Sequence, residues 1–167
     1  LLIESRQCCG GIWTSGAMPW FLDHQNKTGI MADLRNKILE HGGIIHASGA
    51  LSAPPEELKM ILETMLSDAG VTLRYGTVVV DAVTDGRTLT HVITESKSGR
   101  EAWFGRRFID CTGDGDLAAR AGGSFEFGGP DGKTQPGSLT GIVCGLDPQA
   151  VWEYLPPNGG KTRLKEL

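Results

Sequence analysis

Residues 108–119 read Phe-Ile-Asp-Cys-Thr-Gly-Asp-Gly-Asp-Leu-Ala-Ala, which puts a threonine, two glycines and three carboxylates into one short stretch. Carboxylates accept hydrogen bonds from hydroxyls and repel phosphate oxygens, so this stretch suits a sugar better than a phosphate. Glycines allow positive φ and a close approach of backbone to ligand. The apolar run before them predicts a strand over Arg107–Cys111. The Leu-Ala-Ala-Arg-Ala that follows predicts a short helix closed by Gly122 and Gly123. In an α/β sheet the carboxyl end of a strand is where ligands bind, because backbone N–H groups and a helix start converge there.

Read for chemistry alone, the turn has several solutions. Gly113, Gly115 and Ala118 fit a loose G-x-G-x-x-A dinucleotide fingerprint. Against it, Asp114 and Asp116 would repel a pyrophosphate, and no further βαβ strand follows on schedule. Counted from Asp110 as a calcium loop, position 12 is Ala121 where a Glu is required, and a strand rather than a helix leads in. A structural turn in an unrelated α/β domain is the plain alternative.

The run Ile109-Asp110-Cys111-Thr112-Gly113-Asp114-Gly115-Asp116-Leu117-Ala118-Ala119-Arg120-Ala121-Gly122 resembles a T-G-D-G-D segment of bacterial FAD-dependent oxidoreductases with a glutathione-reductase-type flavin fold. Three other segments resemble the same family. Leu1-Leu2-Ile3-Glu4 is similar to the end of the second Rossmann strand, and Cys9-Gly10-Gly11-Ile12-Trp13-Thr14-Ser15-Gly16 to a C-x-G-G-x-x-T-x-G loop, shifted here by one residue. Asp131-Gly132-Lys133-Thr134-Gln135-Pro136-Gly137-Ser138-Leu139 is similar to a Q-P-M-S-L segment, with Gly137 in place of Met. The similarity spans about residues 1–147.

The resemblance implies FAD as cofactor and a small-molecule substrate. It implies that Glu4 holds the adenosine ribose and that Gly10, Gly11 and Thr14 line the path from pyrophosphate to flavin. It further implies that Val79 offers backbone groups to adenine, and that Thr112, Gly113 and Asp114 lie beside the cofactor. Such a protein opens with a strand and a G-x-G-x-x-G turn before the ribose Glu. Leu1 falls mid-strand, so the expectation is a partial FAD-binding domain over 1–167, incomplete at the N-terminus, with residues 17–54 a substrate-side excursion. The rest of its own polypeptide is then a partner. No catalytic residue is assigned. A non-catalytic nucleotide-binding or interaction fragment of similar fold is the alternative.

The elements that must carry these residues follow from periodicity. Ile30, Met31, Leu34, Ile38 and Leu39 recur at helical spacing up to Gly42-Gly43, and Leu58, Ile61, Leu62, Met65 and Leu66 do so up to Gly70. Ser52, with Pro54-Pro55-Glu56-Glu57 behind it, is expected to cap the second helix. Val71–Tyr75 predicts a strand. Thr77–Val83, Leu89–Glu95 and Glu101–Phe104, joined by Asp85-Gly86 and Ser98-Gly99, predict a three-stranded antiparallel β-meander. The fold class expected is α/β, a mixed Rossmann-like FAD-binding sheet with that meander.

Bulk composition narrows the partners. A net charge of −4 gives no electrostatic reason for nucleic acid binding, and no apolar run approaches the roughly 20 residues of a membrane span. Cys8, Cys9, Cys111 and Cys144 lack C-x-x-C spacing, which excludes a zinc ribbon and argues against a disulfide reductase. Reduced cysteines fit a cytoplasmic protein. With no metal-spaced cluster, no metal is expected. His24 and His46 lie in segments that can face a substrate-side cavity, though a lone His in such places, like His41 and His91, is more often a surface or packing residue.

Overall fold

The computed structural model describes residues 1–142, 144–147 and 149. Among the described residues the strands form three small sheets, accompanied by three α-helices. Strand β1 (Leu2–Ile3) is followed by a 3-10 turn at Gly11–Trp13. Next come β2 (Trp20–Phe21), helix α1 (Ile30–Glu40), β3 (Ile44–Ile45), β4 (Leu51–Ser52), helix α2 (Pro55–Asp68) and β5 (Leu73–Arg74). The order ends with β6 (Val78–Asp85), β7 (Thr88–Ser96), β8 (Gly99–Phe104) and helix α3 (Asp116–Arg120).

Strands β1 and β5 pair in parallel, Leu2 beside Leu73 and Ile3 beside Arg74. A parallel pair needs a long crossover, and here everything from Glu4 to Thr72 supplies it. Part of that crossover folds as an antiparallel sheet in the order β2-β4-β3. The third sheet, β6-β7-β8, is the expected meander. The architecture is therefore mixed α/β, with an antiparallel three-stranded sheet.

The core lies between the β2-β4-β3 sheet and the two longer helices. Phe21, Leu34, Ile38, Leu51, Ala53, Leu58 and Ile61 form one buried cluster, with Trp13, Met31, Leu62 and Met65 packed against it. Ile38, Leu51 and Leu58 are wholly excluded from solvent, each worth about 1.5–3 kcal/mol in apolar burial. On α1 the inward stripe is narrower than expected: Met31, Leu34 and Ile38 face in, whereas Ile30 is 77% exposed. Helix α1 closes at Gly42 (φ 84°), with the Gly43 N–H on Ile38 O at 2.8 Å.

Two expectations fail. Ser52 does not cap α2: the cap position is Pro54 without a side-chain bond, and Ser52 belongs to β4. The charged first turn and Pro55 start this helix without a hydroxyl. Residues 107–111 form no strand, because no strand edge among the described residues lies beside them to complete a ladder. Ile109 is accordingly 84% exposed.

Candidate cofactor site

Glu4 leaves the parallel pair at its carboxyl end. Its N–H donates to Arg74 O at 2.9 Å and its carbonyl accepts from Thr77 N–H at 3.1 Å. One carboxylate oxygen accepts from Arg6 N–H at 2.8 Å and from the Ser5 hydroxyl at 3.2 Å. The other has no partner among the described residues, so it can take a hydroxyl donor.

The loop after Glu4 is held from inside. Thr14 is buried, and its hydroxyl donates to Cys9 O at 2.6 Å. Gly10 sits at φ 104°, where an added Cβ would lie 2.7 Å from Thr14 Cγ2 and 2.9 Å from Leu62 Cδ1. Gly11, at φ 50°, faces open space. Of the three residues expected to line this path, only Gly11 presents its backbone outward. Gly10 and Thr14 are turned into the loop and build it.

Beneath the loop runs a hydrogen-bonded chain that no sequence motif announced. The Tyr75 hydroxyl donates to Glu63 Oε1 at 2.7 Å, which leaves its oxygen to accept from the Cys9 thiol at 3.3 Å. Burial pushes the Cys9 thiol up and the neighbouring Glu4 and Glu63 carboxylates add to the rise, outweighing the bond to Tyr75. The thiol is neutral at ordinary pH. Burial, with the Cys9 and Glu63 bonds, also raises Tyr75.

The second turn is clamped by a residue that sequence reasoning passed over. Asp110 Oδ1 accepts from the Thr112 N–H at 2.9 Å and its hydroxyl at 2.7 Å, while Oδ2 accepts from Ala118 N–H at 2.8 Å. The Thr112 oxygen in turn accepts from Asp116 N–H at 2.8 Å. Partial burial alone would raise the Asp110 carboxyl, but the bonds from Thr112, Ala118 and Leu117 outweigh it and hold it below the usual carboxylate range. An Asp two residues before a Thr at a helix start is a legible turn-and-cap pattern.

This clamp decides between two readings of the motif. A dinucleotide fingerprint directs helix-start amides at a pyrophosphate, but here Asp110 and Thr112 consume those of Ala118 and Asp116. What stays open is the glycine rim. Gly113 sits at φ 89° and Gly115 at φ 75°, both with open space where a Cβ would go. A ligand can therefore approach the Gly113 backbone closely, as the turn of a cofactor site requires.

Around this rim three predicted segments meet. Asp114 borders a cleft of about 640 Å³ with Gly128, Gly129, Lys133, Thr134 and Gln135. Helix α3 reaches the meander through Arg120, whose Nε donates to Val80 O at 3.3 Å and which also pairs with the Asp116 carboxylate at 3.3 Å. Val80 is the irregular residue between Val79 and Asp81, where the β6–β7 register shifts. Val79 thus lies one residue from the anchor of the Thr112–Asp116 turn, and Arg120 is the second functional candidate that the motifs did not flag.

The described residues thus form a mixed α/β protein with glycine positions open to approach, a strand-end carboxylate with a free oxygen and a clamped T-G-D turn. The family model for FAD dependent oxidoreductase matches residues 1–163, and the chain belongs to that family. FAD is its cofactor and its chemistry is that of an FAD-dependent oxidoreductase. No curated protein matches the chain. Among the described residues no group of three or more His, Cys, Asp or Glu side chains could hold a metal ion, and no helix is long and apolar enough to cross a membrane.

Proposed function

We propose that the chain is the partial FAD-binding domain of a glutathione-reductase-type flavoprotein acting on a small-molecule substrate. Glu4 takes the adenosine ribose with its free carboxylate oxygen. Gly11 borders the path from pyrophosphate to flavin, on a loop that Gly10 and Thr14 shape from within. Val79 lends backbone to adenine, and Thr112, Gly113 and Asp114 border the cofactor from the opposite side. Bound FAD supplies hydride or electron transfer at its ring; these residues bind and orient it.

The observation that carries this reading is the pairing of an open Gly113 turn with an internally clamped Asp110–Ala118 frame. The Rossmann-like sheet belongs to the same proposal. A further strand, bearing the G-x-G-x-x-G turn, fits between β1 and residues 107–111. The parallel β1–β5 pair and the bare side chain of Ile109 support that position. Residues 17–54 form the substrate side. The four free cysteines support a reducing, cytoplasmic setting.

Absorbance tests the reading. The polypeptide extended by such a strand should be yellow after desalting, with stoichiometric flavin, whereas residues 1–167 alone should keep little. A desalted 1–167 chain with one FAD per molecule would remove the need for the added strand.

A further inference from the structure

Two histidines of this chain are hydrogen-bonded to a neighbouring hydroxyl, and the two pairs differ in where the proton can sit. In the meander, Thr90 Oγ1 lies 2.9 Å from His91 Nδ1, but the Thr90 hydroxyl proton is committed to Val83 O at 2.9 Å. His91 Nδ1 must therefore carry its own proton and donate it, and the pair has one arrangement. In the small sheet, His46 Nε2 lies 2.7 Å from Ser52 Oγ. Neither atom has a second partner among the described residues. The proton can sit on Nε2 or on Oγ with no other bond broken, which is the condition for carrying one.

The sheet gives this pair a setting. Trp20, Ser52 and Ile44 occupy one cross-strand row of β2-β4-β3, so their side chains share a face. His46, two residues beyond Ile44, returns to the same face, and its ring lies tilted by 33° against Trp20, centroids 4.3 Å apart. The opposite face carries Phe21 and Leu51 into the core. Trp20 and Ile44 are 40% and 59% exposed. The turn bearing His46 is fixed: its N–H donates to Ala50 O at 2.8 Å, and His24 Nε2 and Gln25 Nε2 both donate to Gly49 O.

This sheet is in contact with the glycine loop assigned to the flavin. Trp13 of that loop packs on Phe21 at 4.2 Å, Met18 N–H donates to Ile12 O at 3.0 Å, and Ala53 N–H donates to Pro19 O at 3.2 Å. Strand β2 and the Gly11–Trp13 turn are thus joined by the Trp13–Phe21 contact and the Met18–Ile12 hydrogen bond.

We propose that His46 and Ser52 are the proton-accepting pair of the substrate site, with Trp20 and Ile44 as its apolar wall. The substrate class is an alcohol or amine on an apolar or aromatic body. As the C–H electron pair leaves for FAD with its hydrogen, the O–H or N–H proton passes to Ser52 Oγ while the Ser52 proton passes to His46 Nε2. A carbonyl or imine forms and His46 becomes imidazolium, so two electrons and two protons leave the substrate. The proposal rests on the flavin-site reading above.

The test uses the flavin-loaded protein with benzyl alcohol and benzylamine as probes. By imidazole nitrogen NMR, His46 should show a mixture of tautomers that collapses to one in Ser52→Ala and recovers in Ser52→Thr, while His91 stays a single Nδ1–H form throughout. Either probe should shift the His46 resonances and leave those of His91 in place. Anaerobic flavin bleaching by the probes should slow about 100-fold in His46→Gln, within the range of general-base catalysis, and about 10-fold in Ser52→Ala, with FAD content unchanged. A single His46 tautomer insensitive to Ser52→Ala overturns the proposal, and so does a His46 signal indifferent to both probes. Loss of FAD from the wild-type protein would instead count against the flavin-site reading, while the NMR comparison of His46 with His91 would still stand.

Discussion

The Cys8–Gly16 loop and the Asp110–Asp116 turn are both glycine-rich, yet they distribute their hydrogen bonds in opposite ways. The first is closed inward: Thr14 bonds Cys9 O, Gly10 is pressed against Thr14 and Leu62, and Cys9 is tied through Tyr75 to Glu63. The second is clamped from one side by Asp110 and left bare on the other, where Gly113 and Gly115 meet open space. A glycine with no room around its Cβ site serves the fold, whereas a glycine at positive φ beside open space is free to serve a ligand. Substitutions at equivalent glycines should therefore separate stability from flavin affinity.

The largest effect is expected at Gly113. At φ 89° a β-branched residue is strained by about 1–3 kcal/mol, and its side chain would fill the approach to the turn. Gly113→Val in the flavin-binding protein should weaken FAD by roughly 100-fold or more, on the scale of about 3 kcal/mol, with circular dichroism near native. Gly10→Ala should do the reverse, lowering the melting temperature because the new methyl meets Thr14 and Leu62, with flavin loss following only from unfolding. Equal flavin affinity in wild type and Gly113→Val would end the claim that this turn borders the cofactor.

Glu4 comes next. A charge-assisted bond from a ribose hydroxyl contributes about 1.5–3 kcal/mol, so Glu4→Ala should weaken FAD about tenfold or more at unchanged melting temperature. A variant that loses stability but keeps its flavin affinity would make Glu4 a local brace for Ser5 and Arg6 only.

Asp110 sharpens the comparison through pH. Its folded carboxyl lies below the ordinary value, so its stabilising contribution is present above the unfolded pKa of about 3.9 and is lost as pH falls through the lower folded value. Asp110→Asn should lower stability at pH 7 by roughly 1–2 kcal/mol, as for a lost cap, and the melting temperature with it. It should also flatten the acid limb relative to wild type. An acid limb identical in both proteins would show that the clamp does not depend on the charge.

How far the sequence disclosed these features depends on whether each rests on local pattern or on packing. Both longer helices, β5 and all three meander strands follow from spacing and turn residues close in the chain. Strand β1, in contrast, is expected only from the family resemblance, and its parallel pairing with β5, about 70 residues on, is a long-range contact that local pattern does not carry. The T-G-D-G-D turn stood out for its composition. Asp110 lay in full view two residues before Thr112, but carboxylates in the turn drew attention to a ligand rather than to the turn's own amides. The inward orientation of Thr14 could not be seen, because a buried and an exposed threonine look alike without Cys9 O beside them. Ser52 was misassigned for a related reason: a serine before a proline-led acidic segment is a cap signal, and only the β2-β4 register, which brings it opposite Trp20, puts it on a strand. Residues 107–111 carried strand-like side chains, but a ladder requires a neighbour.

The smallest effect tests the closed turn. Tyr75→Phe removes the hydroxyl that joins Cys9 to Glu63, leaving a half-buried carboxylate without its donor and a thiol without its acceptor. One such lost bond costs about 1 kcal/mol, so a small drop in melting temperature is expected, with FAD affinity within about twofold because the open side of the loop at Gly11 is untouched. In the wild type the raised, buried Cys9 thiol stays protonated and should resist iodoacetamide at neutral pH, while exposed Cys111 is alkylated. The phenyl ring still covers the sulfur, so Cys9 should remain slow in Tyr75→Phe. Rapid alkylation of Cys9 in the folded wild-type protein would show that the loop opens, and the contrast between a sealed turn and an open one would then fail at its sealed end.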